Sequence, residues 1–169
     1  MRLEDQGMDP ARYAVIPRTL TFLLDGGDVL LLRGAPTKRL WAGRLNGVGG
    51  HVEPGEDVVA SARREVLEET GLAAEDLALR AVVHVGGEPP LPGILFFVFL
   101  GRAPSRRTRP SPEGALEWHP LAALPAGEMV ADLPTLLPRV LRAPAGEVLW
   151  GHYAPGPSGE IEYRFTPAE

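Results

Sequence analysis

Two apolar runs, TLTFLL and DVLLLR, stand on either side of DGG, and this arrangement predicts two strands joined by a tight turn over residues 19–33. The polar stretch GAPTKRLWAGR leads into strand-like LNGVGGHV, which EPGED then breaks. From Asp57 onward the apolar positions Val59, Ala62 and Val66 change the period from two to about 3.6. A helix is therefore predicted, with Asp57 as N-cap and Gly71 as the residue that stops it. LALRAVVHV and ILFFVFLGRA read as strands joined by GGEPPLPG, too rich in proline and glycine to be more than a connection. The second of them is expected to be buried on both faces.

Further along, ALEWHP reads as a short strand and DLPTLLPRVLR as a helix, with Asp132 at its cap, Pro134 in its first turn and Pro138 expected to kink it. The segment GEVLWGHYAPGPSGEIEYRF carries two alternating runs about PGPSG, which predicts a C-terminal β-hairpin over about 146–166. Strands and helices intermix and hairpins are present. The class is therefore α/β or α+β, a mixed sheet covered by helices.

Composition narrows the function. A chain of 169 residues fits a single domain, 1–169, with a polar N-terminal segment over 1–17. The net charge of −5 argues against a partner that is a nucleic acid polymer, which demands clustered Lys and Arg. With no cysteine there is no thiolate metal site, no disulfide and no cysteine nucleophile. Oxygen ligands to a metal remain open. No apolar run approaches the roughly 20 residues that span a bilayer, and MRLEDQGMDPARYAV is too acidic and polar for a secretory signal. The expectation is a soluble, cytoplasmic protein without a membrane partner, and a homodimer stays open.

The unusual chemistry lies in GGHVEPGEDVVASARREVLEETGL, residues 49–72. On a helical wheel Glu65, Glu68 and Glu69 share an arc beside the apolar side, so three carboxylates are expected to converge. Glu65 and Glu69 are like charges at i, i+4, which costs an isolated helix roughly 0.2–0.5 kcal/mol, and the negative helix C-terminus disfavours Glu68 and Glu69 further. Only Arg64 offers local relief. A hard divalent cation would supply the missing charge, because Mg²⁺ takes oxygen ligands and bridges carboxylates to phosphates. The bland alternative, a solvated acidic helix face, accounts for most fragments of the EVLEE kind.

The full spacing is more specific. Gly50, Glu56, Arg64, Glu65, Val66, Glu68, Glu69, Gly71 and Leu72 fall where the Nudix box places its fixed residues, and the chain resembles a Nudix hydrolase over residues 50–72. The resemblance implies an α/β/α sandwich around a mixed β-sheet, with the box as a loop–helix–loop. It also implies Mg²⁺- or Mn²⁺-dependent hydrolysis of a nucleoside diphosphate linked to another group. On this chain Glu65, Glu69 and the carbonyl of Gly49 would be metal ligands, Glu68 a further ligand or an aid to water activation, and Arg64 would pair with Glu56.

Outside the box the chain is similar to oxidised purine nucleoside triphosphate (8-oxo-dGTP) diphosphatases of the MutT type. RLNGVGGH stands where that group often has RWNGFGGK, so Asn46 matches a base-reading asparagine, whose carboxamide offers both a donor and an acceptor to a purine edge. A plain turn role before Gly47 is the alternative. Glu113 takes the place of an extra catalytic or metal-binding acid, with Glu117 as competitor. Asp132 takes that of a base-contacting aspartate, with helix capping as the alternative.

Two positions depart from the group. A stacking tryptophan is missing, since Met129, Val130 and Ala131 precede Asp132, and Trp41 or Phe22 would have to line the base site instead. His51 replaces the usual lysine, as a phosphate-facing donor or a surface residue. Arg106, Arg107 and Arg109 are expected in a solvated loop.

The leading expectation is hydrolysis of a purine nucleoside triphosphate, oxidised or not, to monophosphate and pyrophosphate. The alternatives are a dinucleoside polyphosphate or ADP-ribose/nucleotide-sugar hydrolase, for which Pro89 is a weak pointer, and a nucleotide-binding module with weak chemistry.

Overall fold

The predicted hairpin is present as β1 (Val15–Asp25) and β2 (Asp28–Gly34), paired antiparallel from Leu23↔Leu30 to Asp25↔Asp28 about Gly26 and Gly27. These elements belong to a computed structural model of the protein, which describes all residues except 1–4, 6, 8, 10, 88–90 and 167–169. Pro89 lies outside the described residues, as does most of the polar N-terminal segment. That segment was expected to run to residue 17, but β1 already begins at Val15, because Val15–Leu24 pairs in parallel with residues 93–102.

The remaining strands are β3 (Leu45–Asn46), β4 (Glu75–Val85), β5 (Gly93–Arg102), β6 (Gly114–Pro120), β7 (Leu149–Pro155) and β8 (Ile161–Thr166). Among the described residues they form one mixed sheet in the order β3-β2-β1-β5-β4-β7-β8, with β6 on the other edge of β2. Parallel pairs β1·β5 and β4·β7 alternate with antiparallel ones.

The period-two pattern of the strands sends alternate side chains to opposite faces. On one face Phe22, Val29, Leu31 and Val98 pack against Leu133, Leu136, Leu137 and Val140 of the helix α2 (Leu133–Arg142). On the other, Leu23, Leu30 and Val48 pack against Val66 of the helix α1 (Val58–Thr70). The architecture is the α/β/α sandwich. Strand β5 is not buried throughout as expected. Val98 and Phe99 are buried, whereas Ile94 and Phe96 are half-buried because they border a cavity.

Both helices end on arginines from distant parts of the chain. Arg80 of β4 is buried and donates to the carbonyls of Val140, Ala143 and Pro144 at the end of α2. Arg109 donates to the carbonyls of Leu67 and Glu68, both at 2.8 Å, at the end of α1. Each donates to carbonyls at or just past a helix C-terminus and puts positive charge at the negative end of the helix; the Leu67 carbonyl is shared with the Gly71 amide. The basic loop is therefore only partly solvated. Arg106 also pairs with Asp28 at 2.5 Å and lies over the Trp118 ring.

Candidate active site

Helix α1 begins and ends as its sequence dictates. The Asp57 carboxylate accepts from the amides of Val59 and Ala60, and Gly71 adopts φ 77°, the left-handed conformation that stops a helix. Between these caps Val66 turns to the core and Glu69, two positions before Gly71, turns inward as well. Glu69 is only 6% exposed. Its Oε2 accepts the Gly49 amide at 3.0 Å. Burial pushes its pKa up to about 7; the charges of Glu65 and Glu113 act in the same direction, while the Gly49 amide and the Lys38 ammonium pull it back.

Arg64 organises the other carboxylates. It donates to both Glu56 oxygens at 3.1 and 2.8 Å, to Glu65 at 2.9 Å, to Glu68 at 3.1 Å and to the His51 carbonyl at 3.1 Å. The hydrogen bonds from Arg64 hold Glu56 down to about 2, and Glu56 in turn accepts the Glu53 amide. The expected Arg64–Glu56 pairing is present. Glu65 and Glu68 meet on one Arg64 nitrogen, and the charge of Glu65 reaches Glu69, though among the described residues no three acidic or histidine side chains stand close enough together to form a metal cage as they are. Arg64 draws Glu65 and Glu68 to itself, while Glu69 is held by Gly49. Gly50 leaves room for the Glu65 carboxylate, which a β-carbon there would displace.

Glu113 comes near this group from the loop before β6, paired with Lys38 and close enough to raise the pKa of Glu69. Its competitor Glu117 is taken up elsewhere. It pairs with Leu31 in the sheet and so faces the α2 side, held by Arg33 at 2.6 Å and beside His119 at 3.1 Å. The Arg33 hydrogen bond lowers its pKa.

A cavity of about 330 Å³ opens beside Gly49 and Thr19 on the α2 side. Asn46 and Asp132 both border it. The Asn46 side-chain oxygen accepts the Gly47 amide at 2.9 Å, so its turn role and its place at the cavity coexist. Asp132 sits at the N-cap position of α2 with φ −85° and ψ −23°, and its side chain makes no capping bond. The capping reading is therefore set aside. Burial raises its pKa, and the Tyr153 hydroxyl faces it without a hydrogen bond of regular geometry. Trp41 borders the cavity, whereas Phe22 is fully buried in the core and does not. His51 pairs through its backbone with Arg18 and is exposed, outside the cavity wall.

Sequence reasoning missed Lys38 and the aromatic far wall of Phe96, Tyr153 and Tyr163. The alternating runs predicted the C-terminal hairpin, but only the pairing of β4 with β7 brings it to the cavity.

The NUDIX domain model matches residues 16–140, and the chain belongs to the NUDIX family as a Nudix hydrolase. An oxidized purine nucleoside triphosphate hydrolase of Danio rerio is 34% identical over 118 residues, 68% of this chain and 72% of that protein. The human 8-oxo-dGDP phosphatase NUDT18 is 36% identical over 117 residues, and this chain spans about a third, 34%, of its length. A MutT protein from Bacillus halodurans shares the fold with a TM-score of 0.76 at 24% identity, over 92% of this chain and 100% of that one.

Proposed function

We propose that the protein hydrolyses a purine nucleoside triphosphate, oxidised purines included, to monophosphate and pyrophosphate with the help of a divalent cation. The observation that carries this reading is the position of Gly49. Its amide holds the buried Glu69 carboxylate, and the same residue borders the cavity of Asn46 and Asp132. Phosphate chemistry and base recognition thus meet at one residue.

Glu65, Glu68, Glu69, Glu113 and the Gly49 carbonyl would hold the cation, since all are hard oxygen donors of the kind Mg²⁺ or Mn²⁺ takes. When bound, the ion neutralises phosphate charge and lowers the pKa of water. Arg64, braced by Glu56, keeps Glu65 and Glu68 on one side of the helix, and Gly50 leaves room for the Glu65 carboxylate. The box supplies acids but no activated Ser, Cys or His, so water is the attacking group. The carboxylates share their protons as a group.

Asn46 and Asp132 offer a carboxamide and a carboxyl to a base edge. No helix among the described residues is long and apolar enough to cross a membrane. The absence of cysteine suits a reducing compartment, and we place the activity in the cytoplasm.

Incubation with Mg²⁺ and a panel of 8-oxo-dGTP, 8-oxo-dGDP, dGTP, dCTP and a dinucleoside polyphosphate, with products resolved by ³¹P NMR, tests the reading. Monophosphate and pyrophosphate from the purine triphosphates support it. Preference for the dinucleotide, or phosphate as the product, contradicts it.

A further inference from the structure

The aromatic residues bordering the cavity are not equivalent. Tyr153 packs edge-on against Phe96 with ring centroids 5.8 Å apart and against Tyr163 at 4.7 Å, so this far wall is locked together. Trp41, at the rim, makes no ring contact with any described residue and is 49% exposed. A half-exposed aromatic ring beside a cavity offers an unused stacking surface.

The backbone of Trp41 points the same way. Its φ is 63°, a left-handed conformation that among the described non-glycine residues only Asp76 shares. A bulky side chain is an outlier there, and glycine or asparagine would adopt it more readily. Its main chain is committed: the Trp41 carbonyl accepts the Arg44 amide at 3.0 Å and lies so close to Gly34 that a β-carbon there would sit 2.5 Å from it. The turn therefore explains the conformation but not the tryptophan. Backbone strain carried by a residue at the mouth of a cavity is the pattern of a ligand-contacting position.

We propose that Trp41 is the base-stacking residue of this protein, its indole lying on one face of a nucleobase whose edge meets Asn46 and Asp132. This deepens the nucleotide reading above and rests on it. Recognition is then divided, stacking from the loop before β3 and hydrogen bonding from Asn46 and Asp132. Stacking is tolerant of base identity, so Trp41 would set affinity while the polar pair sets preference.

The test uses dGMP, which carries the base and cannot release pyrophosphate, with the protein in EDTA so that no cation or turnover enters. Binding is read by equilibrium dialysis and by tryptophan emission. In the wild type dGMP should quench emission, whereas inorganic phosphate should not. In Trp41→Phe the quench should disappear while the Kd stays within about threefold, because a phenyl ring still stacks. Trp41→Gly relieves the left-handed strain, so this variant should melt no lower than the wild type, yet bind dGMP about tenfold more weakly.

Equal Kd in wild type and Trp41→Gly, or an undiminished quench in Trp41→Phe, overturns the proposal. Trp41-dependent dGMP binding by a protein that hydrolyses no purine triphosphate would sustain the stacking role and sink the catalytic reading instead.

Discussion

The Gly49 amide and the Glu69 carboxylate are joined at 3.0 Å across twenty residues of sequence, tying the loop before α1 to the last turn of that helix. Gly49 has φ 151°, and a β-carbon there would run into the Thr19 carbonyl, while one on Gly50 would meet the Glu65 carboxylate. The two glycines thus protect different things, one the backbone contact with β1 and the other a side chain.

Their alanine variants should separate accordingly. Gly49→Ala should lower stability by about 1–3 kcal/mol, because backbone must move. Gly50→Ala should leave stability within about 1 kcal/mol, since a side chain can yield, but should lower turnover tenfold or more through the displaced Glu65. Thermal melts and steady-state rates on both variants check the pair. Equal effects on both properties would show that the glycines do one job.

Asp132 gives a pH signature independent of catalysis. Burial raises its folded-state pKa above the unfolded value of about 3.9. In that case the folded state holds the extra proton, and the contribution of Asp132 is intact below about pH 3.9 and is lost as pH rises through the folded pKa. Asp132→Asn should therefore match the wild-type Tm in acid and exceed it increasingly as pH rises. A constant difference across the range would mean that the carboxyl is not desolvated.

The relief of the acidic helix end is the clearest case of what sequence did and did not disclose. Asp57, Val66 and Gly71 announce the helix and its limits because capping and periodicity are local. Glu56 and Arg64, eight residues apart, were legible through the fixed spacing of the box. Arg109 and Lys38 were not, because each reaches the site through the tertiary fold and carries no local signal. The wheel placed the three glutamates on one arc but did not show how they are held, Glu65 and Glu68 by Arg64 and Glu69 by the Gly49 amide. Asp132 looked like a cap because caps are read from composition, whereas only the structure shows it at the N-cap position without a capping bond and bordering the cavity.

Removing the Arg109 cap should cost stability rather than chemistry. Arg109→Gln loses charge-assisted bonds to two carbonyls at a helix C-terminus, worth about 1 kcal/mol, which in a domain of this size lowers Tm by about 2–4 °C. Differential scanning calorimetry with parallel rate measurements checks it. A large fall in kcat with an unchanged Tm would place Arg109 in the reaction instead.

Glu65→Gln and Glu69→Gln should each lower turnover about 100-fold or more at subsaturating Mg²⁺ with the fold retained, because each removes charge from the site that would hold the cation. In EDTA Glu69→Gln should be no less stable than the wild type, since burying Glu69 opposes its ionisation, whereas Glu65→Gln gives up its pair with Arg64. Near-wild-type rates in both would sink the assignment of the carboxylate site.

Asn46→Ala tests the central claim most directly, that a base-reading cavity adjoins the carboxylates at Gly49. kcat/KM is measured for 8-oxo-dGTP, dGTP, dCTP and a dinucleoside polyphosphate in wild type and variant. The wild type should prefer the purine triphosphates. The variant should lose about 1–3 kcal/mol of that discrimination while still turning over the poor substrates. A wild-type preference for the dinucleotide, or an equal loss on all four substrates in the variant, would contradict the account.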